Sequence, residues 1–260
     1  LKAGEDNLIH AFIEKPSKEK LPAWISNTGE EMLAQGRVYL ASMGIYIFNR
    51  KLLFDLLQVE KPDATDFGKE IIPGSIDQQR VVSYQYDGYW TDIGNIYSFF
   101  EANLTLTLDI PPFNLFDNKK MVYSRARMLP PAKISGTTIE QAIIAEGCII
   151  HASKISNSVI GIRSRIGSGS EITSCYVMGS DFYETIEEIA YNFQKGIPKI
   201  GIGDNCHLTN VILDKDCRVG NNVSLKGGSH LPDGDHALFT IKDGIVVVKK
   251  GAIIPDGFQL

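Results

Sequence analysis

The sequence lacks the features that direct a chain to a membrane or to nucleic acid. No apolar run approaches the roughly 20 residues that a membrane-spanning helix requires, and no block of basic residues offers contacts to a phosphate backbone. The 260 residues carry 26 Lys and Arg against 31 Asp and Glu, a formal net charge of −5. We therefore expect no membrane and no nucleic-acid partner, and an ordinary globular chain of one or two domains.

Cysteine is also scarce. The four cysteines stand in the second half without CxxC spacing: Cys148, Cys175, Cys206 and Cys217. This pattern disfavours both a metal site and a disulfide framework, and it predicts a reduced, cytoplasmic setting. No signal-peptide pattern is present, and the chain opens at Leu1 directly into a predicted strand, so we expect a start cut within a longer protein.

Residues 1–110 have the pattern of a mixed α/β domain. Alternating or continuous apolar residues predict strands over 7–16, 37–48 and 80–90. Helical spacing follows at 49–58, with Asn49 as N-cap, and a short helix is predicted to open at Asp66. A further helix over 95–108 places apolar side chains and one amide on a single face: Ile96, Phe99, Phe100, Asn103 and Leu104. Paired prolines then frame a predicted linker at 111–133.

After residue 134 the apolar residues recur every six positions. One such series is Ile160, Ile166, Ile172 and Met178, and another is Leu213, Val219 and Leu225. Glycine often follows the aliphatic residue, and a small residue stands four places after it, which includes Cys148, Cys206 and Cys217. This is the hexapeptide signature of a parallel β-helix, in which aliphatic side chains fill a narrow prism and small ones occupy its corners. The charged stretch 181–199 interrupts the hexads and is partly helical in pattern, which predicts a surface insertion.

Four clusters of polar and aromatic residues stand at predicted strand ends of the first region, where open α/β sheets bind ligands. They contribute hydroxyl-binding groups, aromatic faces, a cation for a phosphate and a carboxylate for Mg²⁺. In chain order they are Glu14 and Lys15, Ser42 and Tyr46, Asp66 and Phe67, and Trp90 and Asp92. Each has an ordinary alternative: Lys15 as a surface lysine, Ser42 as strand filler, Asp66 and Asp92 as helix caps.

The segments FIEKP, YLASMGIYIF, DFGKEIIP and GYWTDIGNIYSFFEANLTL, followed by the proline-framed linker and the hexads, resemble ADP-glucose pyrophosphorylases (glucose-1-phosphate adenylyltransferases). The resemblance covers essentially the whole chain in the right order. It implies an incomplete Rossmann-like nucleotidyltransferase domain, a left-handed parallel β-helix over 134–260, and a tetrameric homo-oligomer. It also implies synthesis of ADP-glucose and pyrophosphate from ATP and glucose 1-phosphate, with Mg²⁺ as cofactor, for glycogen or starch synthesis.

The resemblance assigns roles residue by residue. It implies that Lys15 binds the phosphate of glucose 1-phosphate and that Asp92 is one of two metal-binding aspartates. The implied lining of the sugar pocket is Glu14, Ser42, Tyr46, Asp66, Phe67 and Trp90. Anionic metabolites regulate the family, and the resemblance nominates Lys215 and Lys250 as effector ligands, with Lys249 and Arg127 as weaker candidates.

The sequence departs from the family at the nucleotide side. A glycine-rich nucleotide loop and the second metal aspartate are not found, so we expect these 260 residues alone to be inactive. Three alternatives stay open: another sugar-nucleotide pyrophosphorylase of the GDP-mannose or UDP-sugar type, a non-catalytic regulatory paralogue, and a hexapeptide acyltransferase using His151 or His207. The presence of Lys15 and Asp92 disfavours the paralogue, and the α/β region disfavours the acyltransferase.

Overall fold

The structure is a computed structural model that describes residues 1–260. It divides into two compact units, Leu1–Gly88 and Tyr89–Leu260, which we call the α/β unit and the β-helix unit. The predicted domain boundary at residue 110 lies later than this division, because the helix Ile96–Leu104 packs on strands of the β-helix unit. None of the helices has the length and apolar character that crossing a membrane requires.

The α/β unit consists of short elements. Two strands, Lys2–Ala3 and Ile9–Ala11, pair antiparallel, and an isolated bridge joins Leu8 to Val82. The helical segments are a 3-10 helix at Lys18–Trp24, α-helices at Glu30–Ala34, Arg50–Asp55 and Ile72–Ser75, and π-helical turns at Leu56–Glu60 and Phe67–Ile71. A small core includes the buried side chains of Leu56, Ile71 and Ile72.

Both predicted helix starts in this unit are confirmed. The side-chain oxygen of Asn49 accepts hydrogen bonds from the backbone N–H groups of Lys51 and Leu52. The carboxylate of Asp66 accepts one from the Lys69 N–H at 2.9 Å. Each side chain satisfies donors that the first helical turn leaves without a partner in the helix itself.

The predicted strands over 37–48 and 80–90 are wrong, and the predicted strand over 7–16 shortens to Ile9–Ala11. Residues 37–48 form no strand, and Ile45 and Ile47 are 73% and 99% exposed. A buried strand requires hydrogen-bonded neighbours, and the backbone of this segment pairs with none of the strands in the structure. An apolar run therefore identifies a segment that could form a strand, but the strand forms only where neighbouring strands are present to pair with it.

The β-helix unit begins with a helix that packs on its sheet. The helix Ile96–Leu104 is capped by Asn95, whose side chain accepts a hydrogen bond from the Ser98 N–H at 2.8 Å, and continues as a 3-10 turn, Thr105–Thr107. Phe100 and Leu104 of the predicted face are buried against Ile212 and Ile245. Asn103 instead donates its side-chain N–H to the Phe99 carbonyl. Between Thr107 and Lys133 no helix or strand forms.

The β-helix itself is built from parallel strands stacked coil upon coil. Four seven-residue strands align in one sheet: Thr138–Ile144, Lys154–Ile160, Glu171–Val177 and His207–Leu213. The sheet continues through Ser224–Lys226 and Ile245–Val248, both paired with His207–Leu213. Two-residue strands form the other sheet: Lys133–Ile134, Ile149–Ile150, Arg165–Ile166, Gly201–Ile202, Arg218–Val219 and Ile253–Ile254.

Each seven-residue strand bends at its middle residue. The middle positions, Gln141, Asn157, Ser174 and Asn210, all have φ between 44° and 53°. This left-handed conformation turns the chain between two three-residue runs, so one long strand supplies two sides of a coil and a two-residue strand supplies the third. Asn tolerates this conformation better than most residues do, and Asn157 also donates to the Ser174 hydroxyl at 3.1 Å in the next coil.

The interior of the prism confirms the predicted aliphatic core. Ile150, Ile160, Ile166 and Ile172 are at most 1% exposed and belong to one continuous cluster. All four cysteines are buried and unpaired. Burial raises the pKa of Cys175 and of Cys217 to about 12, so their thiols stay protonated at neutral pH. The cysteines at the corners therefore act as small packing residues, as predicted.

The coil that starts at Ile160 is one residue shorter than the hexad pattern predicts. Val177, rather than Met178, joins the core at 3% exposure, and Met178 packs outside with the helix Ile96–Leu104. The spacing from Ile172 to Val177 is five, and partners in adjacent coils such as Lys154 and Glu171 are 17 apart instead of 18. In this coil the period of six holds from Ile160 to Ile172 and fails on the third side. In the preceding coil it also fails between Ile150 and Ile155, and the partners Ile150 and Ile166 are 16 residues apart.

Two excursions leave the stacked coils. The predicted insertion at 181–199 forms the helix Ile186–Gln194, whose N-terminus carries a capping box between Thr185 and Glu188. The second excursion was not predicted from the sequence: Gly234–Asp235 and Phe239–Lys242 form an antiparallel hairpin that leads into Ile245–Val248. The only signal for it is the interruption of the hexads between residues 225 and 248.

Candidate functional site

A cavity of about 350 Å³ in the α/β unit collects most of the predicted sugar-binding residues. Five of the predicted residues line it: Glu14, Ser42, Tyr46, Asp66 and Phe67. Gly44, Thr65 and Gly68 complete the lining. We call this space the Glu14 cavity. Its wall combines two carboxylates, three hydroxyls and two aromatic rings, which are the groups that hydrogen-bond and stack against a sugar.

A tight turn brings Ser42 and Tyr46 to the cavity. Their hydroxyl groups share a hydrogen bond of 3.1 Å. Gly44, with φ of 70°, lies between them and donates its N–H to the Ser42 hydroxyl at 3.3 Å. The left-handed conformation at position 44 suits glycine because a Cβ there is strained. The turn therefore presents two coupled hydroxyls in place of the predicted continuous strand.

The aromatic wall is a group of three rings. The Tyr46 and Phe67 rings stack with centroids 5.9 Å apart and planes 20° apart. Phe48 lies at 5.7 Å from Phe67 and 6.4 Å from Tyr46, tilted against both. Offset and tilted arrangements of this kind add to the stability of aromatic packing. Phe48 thus supports the two rings that line the cavity, a role that the sequence analysis did not assign.

The two carboxylates are positioned by the helical turn that begins after Asp66. Asp66 both caps this turn and lines the cavity, so the capping alternative and a site role are compatible. Gly68, one residue into the turn, is buried, and a Cβ built on it lies 2.8 Å from Glu14 Oε2. The Glu14 carboxylate therefore packs directly over the Gly68 backbone, and a side chain at position 68 would displace it.

Lys15 adjoins the cavity in sequence but does not line it. It is exposed, and its φ of 46° places a lysine in the left-handed region immediately before Pro16. A residue before proline favours extended backbone, so this conformation is strained. Strained residues cluster at functional sites, although the strain does not specify a function by itself.

Trp90 and Asp92 belong to the β-helix unit, on the segment that leads into the helix Ile96–Leu104. Both are exposed, and the Trp90 side chain is 44% accessible. Asp92 Oδ1 accepts a hydrogen bond from the Gly94 N–H at 3.0 Å, whereas the helix is capped by Asn95. The alternative of Asp92 as the helix cap is therefore wrong.

The donor set at Asp92 is compatible with Mg²⁺ bound mainly by phosphates. No group of three or more His, Cys, Asp or Glu side chains is arranged to hold a metal ion in the structure. Mg²⁺ retains water and commonly takes one or two carboxylates together with substrate phosphate oxygens. An exposed carboxylate held by one backbone N–H suits this mode of binding, in which the protein supplies few of the ligands.

Lys215 and Lys250 converge on one carboxylate of the insertion. The Lys215 ammonium lies 2.5 Å from Asp181 Oδ1, and that of Lys250 lies 3.5 Å from Asp181 Oδ2. The Lys215 ammonium, hydrogen-bonded to Asp181, lowers the pKa of that carboxyl, and Lys250 adds to the effect. The two predicted effector lysines thus share a single surface cluster.

The two weaker candidates lie elsewhere. Lys249 forms an ion pair of 2.8 Å with Asp235 and donates to the His236 carbonyl at 2.6 Å, so its ammonium is committed to the hairpin. Arg127 is exposed within the segment between Thr107 and Lys133. Neither residue takes part in the contacts of Asp181.

Three residues that line the Glu14 cavity were not predicted from the sequence: Gly44, Thr65 and Gly68. Gly68 and Thr65 flank the predicted pair Asp66 and Phe67, so their position in the chain was the available signal. Gly44 stands between Ser42 and Tyr46 in a stretch predicted as a strand, where an internal glycine indicates a bulge or a turn.

Two protein-family models match the chain. Residues 1–108 match the nucleotidyl transferase model. Residues 127–258, half of the chain, match the model described as the GLGC left-handed parallel beta-helix domain, which establishes the hand of the β-helix. A nucleotidyl transferase domain followed by this β-helix is the arrangement of a sugar-nucleotide pyrophosphorylase. The chain therefore belongs to the GLGC left-handed parallel beta-helix family and is an ADP-glucose pyrophosphorylase-like protein.

Proposed function

We propose that the chain is part of a glucose-1-phosphate adenylyltransferase, which converts ATP and glucose 1-phosphate to ADP-glucose and pyrophosphate, and that these 260 residues alone are inactive. The observation that supports this most is the Glu14 cavity, because it combines hydroxyl-binding groups with an aromatic wall. Glu14, Ser42 and Asp66 would bind sugar hydroxyls, while Tyr46 and Phe67 would pack against the sugar ring. The family resemblance also assigns Trp90 to sugar binding, and we retain it as a proposed sugar-binding residue.

The phosphate end of the substrate would be bound next to this cavity. Lys15 follows Glu14 directly and supplies a compact cation for one phosphate group. In the reaction, an oxygen of the sugar phosphate attacks the α-phosphorus of ATP, a new P–O bond forms, and the bond to the pyrophosphate leaving group breaks. Asp92 would hold Mg²⁺, which neutralises phosphate charge when bound. Catalysis then depends on positioning and charge neutralisation rather than on a covalent nucleophile.

A direct binding experiment tests this proposal. We expect the chain to bind glucose 1-phosphate in isothermal titration, and Asp66→Ala and Phe67→Ala to weaken binding about tenfold or more, since each removes a direct contact. Mannose 1-phosphate is the matched competitor, and tighter binding of it would contradict the glucose assignment in favour of a GDP-mannose type enzyme. Lack of binding to either sugar phosphate would refute the sugar-nucleotide assignment of the cavity.

The same proposal includes regulation by an anionic metabolite at Lys215 and Lys250. The convergence of both ammonium groups on Asp181 supports it, because the cluster already binds one carboxylate. Charge reversal at Lys215 or Lys250 is expected to weaken binding of a phosphorylated effector and to leave glucose 1-phosphate binding unchanged. Unchanged effector binding in both variants would contradict the site.

A further inference from the structure

The segment 61–66 carries two residues of the Glu14 cavity without belonging to a helix or strand. It runs from the end of the π-helical turn Leu56–Glu60 to the start of Phe67–Ile71. Within it the Ala64 N–H donates to the Lys61 carbonyl at 3.1 Å. Thr65 and Asp66, at its end, line the cavity. Backbone hydrogen bonds fix its two ends, from the Lys61 N–H to the Leu56 carbonyl and from the Glu70 N–H to the Asp66 carbonyl. Thr65, between these ends, is held by a side chain.

Glu70 makes those side-chain contacts. Its Oε2 accepts a hydrogen bond from the Thr65 N–H at 3.0 Å, and its Oε1 accepts a second from the Thr65 hydroxyl at 3.4 Å. Its backbone carbonyl accepts a third from the Lys61 ammonium at 2.9 Å. One residue of the helical turn therefore contacts both the beginning and the end of the segment.

The other contacts of the segment do not replace those of Glu70. Asp66 is tied to the turn by its own cap, through the Lys69 N–H at 2.9 Å, and by an ion pair of 3.8 Å with the Lys69 ammonium. These contacts fix the Asp66 carboxylate relative to the residues that follow it. They do not reach Thr65, whose hydroxyl and N–H both bond to Glu70. The position of Thr65, directly before Asp66, is thus held by the Glu70 carboxylate.

We propose that Glu70, which does not line the cavity, is a positioning residue for sugar recognition. By holding Thr65, it orients Thr65, Asp66 and Phe67 toward a bound sugar phosphate. The inference rests on the proposed function, because it takes the Glu14 cavity as the site of glucose 1-phosphate. It adds that affinity for the sugar depends on a carboxylate outside the contact surface.

Three variants of the full chain test the role. Glu70→Ala removes both acceptors and is expected to weaken glucose 1-phosphate binding about fivefold in isothermal titration. Glu70→Gln is expected to restore affinity to near the wild-type level, since its amide oxygen can accept from the Thr65 N–H and its amide group can donate to the Thr65 hydroxyl. Glu60→Ala is the matched control: an exposed glutamate nearby that does not line the cavity, with affinity expected to be unchanged.

A further variant keeps the test decisive if Glu70→Ala does not fold. Glu70→Asp keeps the charge but withdraws the carboxylate by about 1.5 Å, one carbon–carbon bond, and it should weaken binding as Glu70→Ala does. Thermal unfolding followed by circular dichroism is measured on every variant. A purely structural role predicts a lower melting temperature with unchanged affinity, which would overturn the inference.

The outcomes separate the inference from the proposed function. If the wild-type chain does not bind glucose 1-phosphate, the proposed function fails and the inference fails with it. If the wild-type chain binds and Glu70→Ala and Glu70→Asp bind equally well, only the inference fails. If Glu70→Gln is as weak as Glu70→Ala, the hydrogen-bond account of positioning is wrong.

Discussion

The two units of the protein differ in how their backbones are held: the β-helix uses paired strands, and the α/β unit relies more on side-chain contacts. In the β-helix, each strand pairs in register with the equivalent strand of the neighbouring coil, and Ile172 is fully buried. In the α/β unit, two strands of two and three residues pair, and Ile47 is 99% exposed. The α/β unit instead positions its loops with side chains: Asn49, Asp66 and Glu70. In a repeating sequence, each coil thus provides the strands with which the next coil pairs. The shape of a cavity built from turns depends instead on individual side-chain contacts.

The largest expected difference between the units concerns their isoleucines. Ile172→Ala should lower the free energy of unfolding by about 3 kcal/mol, because it removes buried methyl and methylene groups and leaves a cavity in the prism. Ile47→Ala removes the same atoms from an exposed position and should change it by less than about 0.5 kcal/mol. Urea denaturation of both variants measures the difference.

The comparison would fail if Ile172→Ala and Ile47→Ala lowered the free energy of unfolding by the same amount. An equally large loss in Ile47→Ala would mean that Ile47 is buried in solution. A small loss in Ile172→Ala would mean that the prism collapses around the missing side chain. Both conclusions require that the slope of unfolding free energy against urea concentration stays close to the wild-type value. A changed slope would indicate a changed unfolded or native state.

The β-helix was largely predictable from the sequence because its period is local. Aliphatic residues at a spacing of six identified the core positions, since each coil repeats the environment of the coil before it. The exchange of Val177 for Met178 was not predictable, because the shortened side of the prism shows no break in the pattern there. The prediction of a strand over 37–48 was wrong because strand formation is not local. The apolar pattern is suitable, but a strand also requires partner strands that are distant in sequence.

The next largest effect concerns how the insertion is attached to the β-helix. The Glu184 carboxylate, with a side chain 3% exposed, lies 2.7 Å from the Arg218 guanidinium and also accepts from the Asn192 side chain and the Ile200 N–H. Glu184→Gln leaves the Arg218 charge without a buried counter-ion and should cost about 2 kcal/mol. Thermal unfolding at neutral pH measures this loss. Glu187→Gln is the control, because Glu187 is exposed in the helix Ile186–Gln194 that follows Glu184.

The pH dependence of the same pair gives a sharper test. Burial alone raises the pKa of Glu184, but hydrogen bonds from Ile200, Arg218 and Asn192 outweigh it and bring the pKa below the ordinary value of 4.5. A lowered folded-state pKa contributes stability above the ordinary value, and that contribution is lost as pH falls through the folded-state pKa. The difference between wild type and Glu184→Gln should therefore persist at about pH 6 and shrink below about pH 4. A difference that is independent of pH would contradict the charged state of Glu184.

Helix caps provide a smaller and more evenly matched comparison. Asn95 caps Ile96–Leu104 in the β-helix unit, and Asn49 caps Arg50–Asp55 in the α/β unit. Asn95→Ala should cost about 1 kcal/mol of unfolding free energy, the usual value for such a cap. Asn49→Ala should cost less, because its bonds to Lys51 and Leu52 are longer, at 3.0 and 3.4 Å, than the 2.8 Å bond of Asn95. Equal losses in urea denaturation would show that bond length does not distinguish the two caps.

The candidate site was predictable only in part. Glu14, Ser42, Tyr46, Asp66 and Phe67 were selected by residue type and by a family resemblance, and the structure places them around one cavity. We expected these residues to be positioned at the ends of neighbouring strands, but the structure does not contain that row of strands. Contacts such as Glu70 with Thr65 leave no periodic trace in a sequence, because an acceptor five residues from its donor resembles any surface glutamate.

The smallest expected effect concerns the charge cluster that joins the insertion to the β-helix. Asp181 already forms ion pairs with the two lysines that the proposed effector site requires, so it should compete with any anion that binds there. Asp181→Asn removes the competing charge, and we expect inorganic phosphate to bind about threefold more tightly, a gain typical of an exposed ion pair. Asp233→Asn is the control, because the Asp233 carboxylate pairs with Lys242 in the hairpin and not with Lys215 or Lys250. The gain should shrink as salt screens these exposed charges. Equal phosphate affinity in wild type and Asp181→Asn at low salt would mean that Lys215 and Lys250 serve only to attach the insertion, and the effector site would have to lie elsewhere.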